Sequence, residues 1–408
     1  MGKLIVKKFG GTSVANAKRI EAVADIVQKT INDGNRVAVV LSAMGKSTDE
    51  LISLAKEINP HPNPREYDAL VSTGEQISVA LLAMALLKRG LEGKSYTAYQ
   101  LGIRTNDNHT RARILDVQVK NIQDEIKTGV IPVITGFQGM NDHGDITTLG
   151  RGGSDTTGVA LAVALEADEC QIYTDVDGVF TTDPRVYDKA RLLEKVTFEE
   201  MLELSSMGAK VLQLRAVEYA SKYKMPIRVL SSFNDGKGTL VEEEKESMER
   251  PVVSGISSVD DEAKITIRRV PNIPGVAAKI LSPVSDSGIE VDVIVQNVGA
   301  DNTTDFTFTV NKENAKESEK ILLSVAESFG GGQVEVDSDI AKISIVGRGM
   351  RAHAGIASKM FQALADSEIN ILMITTSEIK ISVVIKEDEM QKAVQCLHDA
   401  FDLDKELD

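Results

Sequence analysis

Residues 4–13 read Leu-Ile-Val-Lys-Lys-Phe-Gly-Gly-Thr-Ser, an apolar run that leads directly into two glycines and two hydroxyl side chains. The apolar run predicts a buried strand that begins at Leu4. Gly10 and Gly11 allow backbone N–H groups to turn toward an anion, and Lys8 supplies a positive charge for a phosphate. The P-loop motif GxxxxGK[ST] is absent. Taken alone, the segment is equally a tight turn beside an exposed lysine.

The pattern that follows this segment alternates short apolar runs with helical periodicity. Strands that are apolar throughout and alternate with helices favour a parallel sheet covered on both faces, with ligands at the carboxyl ends of the strands. The sequence therefore predicts an α/β fold for the first part of the chain. The predicted strands are Leu4–Val6, Arg36–Leu41, Val130–Thr135 and Gln171–Thr174, and the predicted helices are Asn16–Asn32, Thr48–Ile58, Gly74–Lys88 and Thr156–Ala167.

Composition excludes several classes of protein. The 408 residues suffice for two or three domains, and the net charge of -15 disfavours a nucleic-acid binder. Two cysteines form neither a disulfide framework nor a four-cysteine metal site, and no metal site is expected. The chain shows no signal peptide, and no apolar run was identified that reaches the roughly 20 residues of a membrane span. We therefore expect a cytoplasmic protein without a membrane or nucleic-acid partner.

The second part of the chain contains an internal repeat. The segment from Lys264 matches the segment from Lys342, and each copy predicts the order strand, glycine-containing loop, helix, strand, strand, helix. This is a ferredoxin-like βαββα pattern. The first copy closes with a strand at 333–336, and we expect residues 252–257 to fill that place in the second. The predicted domains are 1–246, a linker and strand at 247–263, and repeats at 264–337 and 338–408.

A second glycine-rich motif, Leu-Gly-Arg-Gly-Gly-Ser-Asp-Thr-Thr, occupies residues 149–157. Its glycines precede a predicted helix whose first turn offers Ser154 and Asp155, and a helix N-terminus attracts carboxylates and phosphates. Arg151 has the geometry to hold a carboxylate through two parallel hydrogen bonds. The alternative is a capped helix with a flexible lead-in.

Three more segments place polar groups at the ends of predicted strands or at the starts of helices. They are the acidic turn at 174–185 and the turn-to-helix junctions at 42–48 and 71–76. Carboxylates in the acidic turn could hold a hard cation through water or bind a ribose. Glu75 could pair with an amine and Thr48 could bind a carboxylate, although helix capping explains either one alone.

The chain resembles the aspartate kinases over essentially its whole length. It carries their motifs in the same order, namely KFGGTS from Lys8, SAMGKSTDEL from Ser42, STGEQ from Ser72, TTLGRGGSDTT from Thr147, YTDVDGVFTTDPR from Tyr173, and the tandem repeat. The resemblance implies an amino-acid kinase domain, which is a three-layer α/β sandwich, followed by two ACT domains. It also implies transfer of the γ-phosphoryl group of ATP to the β-carboxylate of L-aspartate, with Mg²⁺ carried by the phosphates.

The resemblance also implies roles for individual residues. Lys8 and Asp155 are expected to be catalytic, and Thr48, Glu75, Phe137, Arg151 and Ser154 are expected to bind aspartate. The ATP site is expected to comprise Lys8, Phe9, Gly10, Gly11, Thr174, Asp175, Val179, Phe180, Thr181, Thr182, Asp183, Pro184, Arg185 and Lys210.

The repeats imply feedback inhibition by lysine, threonine or both, and a homodimer or higher oligomer formed through the ACT domains. Asn272 stands where many relatives have Asp, which leaves the effector open. Two alternatives remain, a glutamate-type amino-acid kinase and a non-catalytic amino-acid-sensing subunit. The expected effector residues are Asn272, Pro274, Gly275, Val276, Ala277, Gln296, Asn297, Ile356, Ala357, Asn370, Ile371 and Ser377.

Overall fold

The computed structural model describes residues 2–206, 211–244, 253–299, 302–329, 333–347, 350 and 355–405. The chain divides into two compact units. Unit 1 comprises Met1–Phe180 and Leu192–Glu249, and unit 2 comprises Thr181–Arg191 and Arg250–Asp408. The sequence predicted a first domain that runs unbroken from residue 1 to 246. The structure differs in the segment 181–191, which packs with the repeats of unit 2.

Unit 1 alternates strands with helices along the chain. Its strands are β1 (Leu4–Phe9), β2 (Arg36–Leu41), β3 (Gly93–Tyr96), β4 (Ile103–Thr105), β5 (Ile114–Val117), β6 (Ile131–Thr135), β7 (Gln138–Met140), β8 (Ile146–Thr148), β9 (Glu169–Thr174), β10 (Lys195–Thr197), β11 (Ile227–Ser231) and β12 (Thr239–Glu242). Its helices are α1 (Ala17–Asn32), α2 (Ser47–Ile58), α3 (Pro64–Val71), α4 (Thr73–Lys88), α5 (Ala98–Leu101), α6 (Lys120–Lys127), α7 (Gly153–Ala164), α8 (Phe198–Ser206) and α9 (Leu214–Tyr223).

The main sheet of unit 1 has the strand order β10-β12-β11-β9-β1-β2-β6-β3. Neighbouring strands run parallel except for β11 and β12. Helices cover both faces of this sheet, and the alternating side chains of β1 contact both layers. Phe9 packs in a core with Val23 of α1 and Leu82 of α4. Lys8, on the other face, lies against Gly158 of α7. The predicted three-layer sandwich is confirmed. A smaller sheet with the order β5-β4-β7-β8 was not predicted.

The stretch Pro64–Lys88 has the length and mean hydropathy, 1.6, of a membrane-crossing helix, although 56% of its most apolar window is buried inside the protein. It comprises α3 and α4. Leu82 and Leu86 are fully buried in unit 1, while Met84 and Leu87 are exposed. Burial of this kind is typical of a core helix, which passes the same test of length and composition.

Unit 2 contains two similar α/β repeats, each with a four-stranded sheet and two helices among the described residues. Its strands are β13 (Gly255–Val259), β14 (Glu262–Pro271), β15 (Val291–Val298), β16 (Thr303–Asn311), β17 (Gln333–Asp337), β18 (Ile340–Val346), β19 (Met373–Thr376) and β20 (Lys380–Lys386). Its helices are α10 (Val276–Asp286), α11 (Ala315–Ser328), α12 (Ile356–Asp366) and α13 (Met390–Ala400). The two sheets have the orders β15-β16-β14-β17 and β13-β18-β20-β19. The predicted βαββα order is confirmed in both copies.

The fourth strand of the second sheet comes from upstream of both repeats. β13 pairs antiparallel with β18, from Gly255 opposite Val346 to Val259 opposite Lys342. The sequence predicted this role for residues 252–257, of which Val252 lies outside the described residues. The second copy has no strand of its own after α13 within the described residues, so the borrowed strand completes its sheet.

Candidate active site

The centre of the candidate site is a buried ion pair between Lys8 and Asp155. Each residue is 8% exposed. Lys8 reaches this point from β1, and Asp155 lies in the first turn of α7. The ammonium group of Lys8 therefore stands beside a helix N-terminus, whose dipole favours anions, while the N–H groups of Gly153 and Asp155 donate to the carbonyls of Gly150 and Gly152. The pair combines a cation with the ready-made anion site of a helix end.

The predicted phosphate loop meets the loops after two neighbouring strands. Gly10 donates its N–H to the Tyr173 carbonyl at 3.2 Å, and Gly45 donates to the Gly11 carbonyl at 3.0 Å. A Cβ atom on Gly11 would lie 3.1 Å from the carbonyl oxygens of Ala43 and Gly45. Glycine is favoured here, because a side chain would crowd the backbone of the neighbouring loop. The loops after β1, β2 and β9 thus converge at the carboxyl edge of the sheet.

Glu75 places a carboxylate inside unit 1, where it is 2% exposed. Its Oε1 accepts the Ala43 N–H at 3.2 Å, and its Oε2 is buried without a hydrogen-bond partner among the described residues. Burial raises the pKa of Glu75 to about 8, against the opposing effect of the backbone N–H groups of Ala43 and of Glu75 itself. A buried carboxylate oxygen with no donor is a site for a cationic group.

Phe137 adopts a left-handed backbone conformation with φ 70° in the loop after β6. Its N–H donates to the Thr157 hydroxyl at 3.2 Å. A Cβ on Gly153 would lie 3.1 Å from the Phe137 ring, and a Cβ on Gly136 would lie 2.8 Å from the Cβ of Ser154. Such a conformation is costly for a bulky residue and clusters at functional sites. Phe137 and Ser154 thus lie together at the start of α7.

The Gly-rich loop before α7 carries Arg151, whose side chain is exposed and makes no ion pair with the part of the chain that the structure describes. Gly150 and Gly152 flank it with φ 78° and 70°, which turn the chain into α7 three residues earlier than the sequence predicted. The Arg215 guanidinium fixes the start of this loop by donating to the Leu149 carbonyl at 2.7 Å. The fifth predicted aspartate contact, Thr48, is half-buried in the first turn of α2.

The predicted nucleotide loop is divided between the two units. Thr174, Asp175, Val179 and Phe180 belong to unit 1, and residues 181–185 belong to unit 2. Ser232 donates its N–H to the Thr174 carbonyl at 2.9 Å, so the loop after β9 is tied to the loop after β11. Lys210 lies outside the described residues.

Within unit 2, the segment 181–185 is largely engaged by other groups. Thr181 is fully buried, and its hydroxyl lies 2.9 Å from Nε2 of His398 on α13. The Asp183 carboxylate accepts from the Arg185 guanidinium at 2.6 Å. Thr182 is buried, whereas Pro184 is exposed. Thr181, Asp183 and Arg185 therefore have partners within unit 2, and a nucleotide-binding role for this segment stays a prediction.

The predicted effector loops lead into the first helix of each repeat. Gly275 and Gly355, with φ 87° and 101°, precede α10 and α12. Val276 and Ile356 point into the cores, and the Val276 N–H donates to the Ile273 carbonyl at 3.3 Å. The remaining predicted contacts flank these helix ends or lie on, before or after the neighbouring strands, and are Asn272, Pro274, Ala277, Gln296, Asn297, Ala357, Asn370, Ile371 and Ser377.

The first effector loop is hydrogen-bonded to the segment that precedes β16. Asn272 donates its N–H to the Asn302 carbonyl at 3.3 Å, and its side chain is half-buried. Gln296 and Asn297 are exposed on β15, which is an edge strand of its described sheet. Part of the second loop, residues 353–354, lies outside the described residues.

The sequence did not point to Asp68, a carboxylate on α3 that is 0% exposed. The sequence feature that could have identified it is its position on the apolar side of the helix, three residues before the buried Val71. No group of three or more His, Cys, Asp or Glu side chains in the described ranges could hold a metal ion.

Comparison with known proteins identifies both parts of the chain. The profile of the amino acid kinase family matches residues 3–231, and the ACT domain profile matches residues 343–401. The chain is 60% identical over 402 residues to an aspartate kinase of Pseudomonas putida, covering 98% of each sequence. It is 59% identical over 402 residues to the aspartate kinase Ask_LysC of Stutzerimonas stutzeri, again covering 98% of each.

Solved structures match over almost the whole chain as well. The crystal structure of Escherichia coli aspartokinase III in complex with aspartate and ADP superimposes with a TM-score of 0.80 at 26% identity, covering 98% of this chain and 99% of the other. The structure of the same enzyme with lysine and aspartate gives a TM-score of 0.78.

Proposed function

The chain belongs to the aspartate kinases of the amino acid kinase family, and we propose that it forms 4-phospho-L-aspartate from L-aspartate and ATP. This is the first step toward lysine, threonine and methionine. The proposal is carried by two buried groups in unit 1. They are the Lys8–Asp155 pair at a helix N-terminus and the unsatisfied carboxylate oxygen of Glu75, whose partner Ala43 also borders the Gly11 loop. The Lys8 ammonium suits a phosphate, and the Glu75 carboxylate suits an ammonium group.

The proposed reaction needs charge neutralisation and no general base. An oxygen of the β-carboxylate attacks the γ-phosphorus, a new P–O bond forms, and the bond to the bridging oxygen of ADP breaks. The attacking carboxylate is already ionised, so no proton moves. Both reactants are anions, and the barrier is lowered by holding them in line and stabilising the charge on the transferred group. Lys8 and the positive end of the α7 dipole supply that stabilisation in our proposal.

The aspartate site in this proposal divides the substrate among several groups. Glu75 binds the α-ammonium, because its free oxygen is buried and lacks a donor. Arg151 binds the α-carboxylate, since its guanidinium is exposed and makes no ion pair among the described residues. Thr48 and Ser154 offer hydroxyls at two helix N-termini, and Phe137 forms a wall. Asp155 keeps Lys8 oriented between the two reactants.

The nucleotide site in this proposal places the phosphates against the turn at Gly10 and Gly11, together with the loop that follows β9. The Gly11 N–H is the donor in this proposal, because the Gly10 N–H is bonded to the Tyr173 carbonyl. Thr174 and Asp175, at the carboxyl end of β9, would hold the nucleoside. Mg²⁺ neutralises phosphate charge when bound. Since the described residues hold no cluster of three carboxylates or histidines, we assign its coordination mainly to phosphate oxygens and water.

The substrate is tested by a direct comparison of two amino acids. Purified protein with ATP and aspartate is expected to release ADP and to form an acyl phosphate that hydroxylamine traps. Glutamate, which is one methylene longer, is expected to react at least about tenfold more slowly in kcat/KM, because the phosphoryl acceptor is displaced from the in-line position. Equal rates with both amino acids would overturn the assignment to aspartate, and a lack of turnover with either would overturn catalysis.

The proposal includes feedback inhibition by lysine, threonine or both at the repeats of unit 2. The positive dipole ends of the helices that begin after Gly275 and Gly355 favour the carboxylate of an amino acid. Asn272 and the exposed Gln296 offer polar groups to its ammonium. Escherichia coli aspartokinase III, a structural neighbour, has been solved with lysine bound, which supports lysine as a candidate.

Point substitutions test feedback better than removal of unit 2 does. A chain that ends before residue 250 would lose the partners of Thr181 and Tyr187, which contact His398 and Asp399. We expect Asn272→Ala to raise the half-inhibitory concentration of the effector about tenfold, the effect of one lost hydrogen bond to a charged group. The measurement is activity against lysine, threonine and both together.

The matched control for this substitution is Asn314→Ala, which changes the same residue type before α11 in the same repeat. It is expected to leave inhibition unchanged. Equal shifts in both variants would contradict a direct contact with Asn272, and an enzyme that neither amino acid inhibits would overturn the feedback proposal.

The proposal also includes a homodimer or higher oligomer in the cytoplasm. The described sheets of unit 2 end in the edge strands β15 and β19. Ile294 and Val298 on β15 and Ile374 on β19 are 50%, 61% and 45% exposed. Unpaired edges with exposed apolar side chains favour pairing with a second copy.

A further inference from the structure

The carboxylate of Asp68 is buried in unit 1, where it contacts four polar groups of residues 109–110 and Thr148. Its Oδ1 accepts the Thr148 hydroxyl at 2.6 Å. Its Oδ2 accepts the N–H of Thr148 at 3.0 Å and the N–H of Thr110 at 2.9 Å, and it lies 3.0 Å from Nδ1 of His109. We propose that Asp68 is a positioning residue for aspartate binding, a role that rests on the function proposed above.

Asp68 controls where the Gly-rich loop begins. Thr148 is the last residue of β8, and Arg151 follows three residues later. The Thr148 carbonyl also accepts the Ala112 N–H at 2.9 Å. A Cβ on Gly150 would lie 2.9 Å from the Thr110 carbonyl, so the loop lies against the segment that Asp68 fastens. The carboxylate thereby fixes both the start of the loop and the surface beneath it.

The same residue is linked to the other half of the aspartate site. Asp68 lies on α3, which continues through Ser72 into α4, and Glu75 is in the first turn of α4. The Ser72 carbonyl accepts the Gln138 side-chain amide at 2.8 Å. Asp68 thus ties the element that carries the ammonium-binding carboxylate to β8, which leads into the loop that carries the guanidinium. One buried group sets the separation between the two ends of the substrate.

The chemistry of the contact explains why a carboxylate is used. Oδ2 lies within hydrogen-bond distance of three nitrogen atoms, and a charged oxygen accepts hydrogen bonds about twice as strongly as a neutral one. The only basic side chain in contact with Asp68 among the described residues is His109. The backbone N–H groups therefore supply much of the compensation for burying the charge. Loss of the carboxylate would release several backbone anchors at once.

The inference is tested by two adjacent threonines on β8 whose side chains point to opposite faces. Thr148→Val removes only the hydroxyl that bonds Asp68. Thr147→Val is the matched control, because Thr147 is equally buried and its hydroxyl bonds that of Thr105 instead. We expect Thr148→Val to raise the KM for aspartate about fivefold with the KM for ATP unchanged. We expect Thr147→Val to change neither KM.

A second variant, Asp68→Asn, keeps the shape and removes the charge. It is expected to raise the KM for aspartate by about tenfold or more, with ADP binding unchanged when titrated directly. Loss of stability alone would lower kcat through the active fraction and leave both KM values constant. The inference is overturned if both variants of the Asp68–Thr148 contact retain the wild-type KM for aspartate, or if Thr147→Val shifts it equally.

The same assay separates this inference from the function on which it rests. An inactive wild-type protein would contradict the proposed reaction. An active wild-type protein whose Asp68→Asn and Thr148→Val variants bind aspartate normally would contradict only the positioning role.

Discussion

Replacement of Lys8 by methionine is expected to lower kcat about a thousandfold, the loss that follows when a charge-stabilising group is removed from a transition state. Methionine fills the space of the lysine stem without its charge, so the packing against Gly158 of α7 is retained. Negative charge on the transferred phosphoryl group then lacks its buried cation. Acyl phosphate formation under saturating ATP and aspartate measures the effect.

The neighbouring lysine provides the control. Lys7 points to the opposite face of β1, where its ammonium donates to Gln171 at 2.6 Å and to the Tyr173 hydroxyl at 2.8 Å. Burial lowers its pKa to about 8, so its replacement removes a weakly held charge. Lys7→Met should keep kcat within a few fold of the wild type, while both variants lose some stability. Equal losses of kcat would contradict a catalytic role for Lys8.

The KM for aspartate is expected to fall as the pH rises toward 8 and to level off above it. The pKa of Glu75 is about 8 in the free protein, so most molecules carry a protonated Glu75 at pH 7. The substrate ammonium binds the ionised form, and the fraction of that form grows roughly tenfold for each pH unit below the pKa. The measurement is the KM for aspartate between pH 6.5 and 8.5 at saturating ATP.

Glu75→Gln tests the origin of this pH dependence. The amide cannot ionise, so the variant should show a higher KM that no longer changes with pH over this range. The two proteins should also differ in how their stability depends on pH. The folded-state pKa lies above the unfolded value, so ionisation of Glu75 makes the wild type less stable as the pH rises from about 4.5 to 8, and glutamine removes that loss. A pH-dependent KM that persists in Glu75→Gln would contradict our assignment.

Local sequence patterns predicted most of the elements that carry the site. The strand at Arg36–Leu41 and the helices that end at Asn32, Ile58 and Lys88 lie where their periodicity indicated. These elements have strong patterns because one or both faces are buried. The small sheet β5-β4-β7-β8 escaped prediction because its strands are only three or four residues long and carry no clear alternation.

The candidate site was predictable as a set of motifs rather than as a geometry. Glycines beside charges marked the loops of Gly10 and Gly152, since close backbone approach leaves a local signal. Glu75 was named, but its unsatisfied oxygen follows from burial by elements distant in sequence. Asp68 lacked any motif, because its partner Thr148 lies 80 residues away.

The sequence by itself determined the order of the elements, the repeat and the family of this protein. It did so because periodicity, glycine positions and motif spacing are properties of neighbouring residues. Only the tertiary structure decided that Lys8 faces Asp155 while Lys7 faces Tyr173, and that residues 181–191 pack with the repeats of unit 2. Those facts depend on which segments meet across the core, where burial and contact, rather than local propensity, set the chemistry of each side chain.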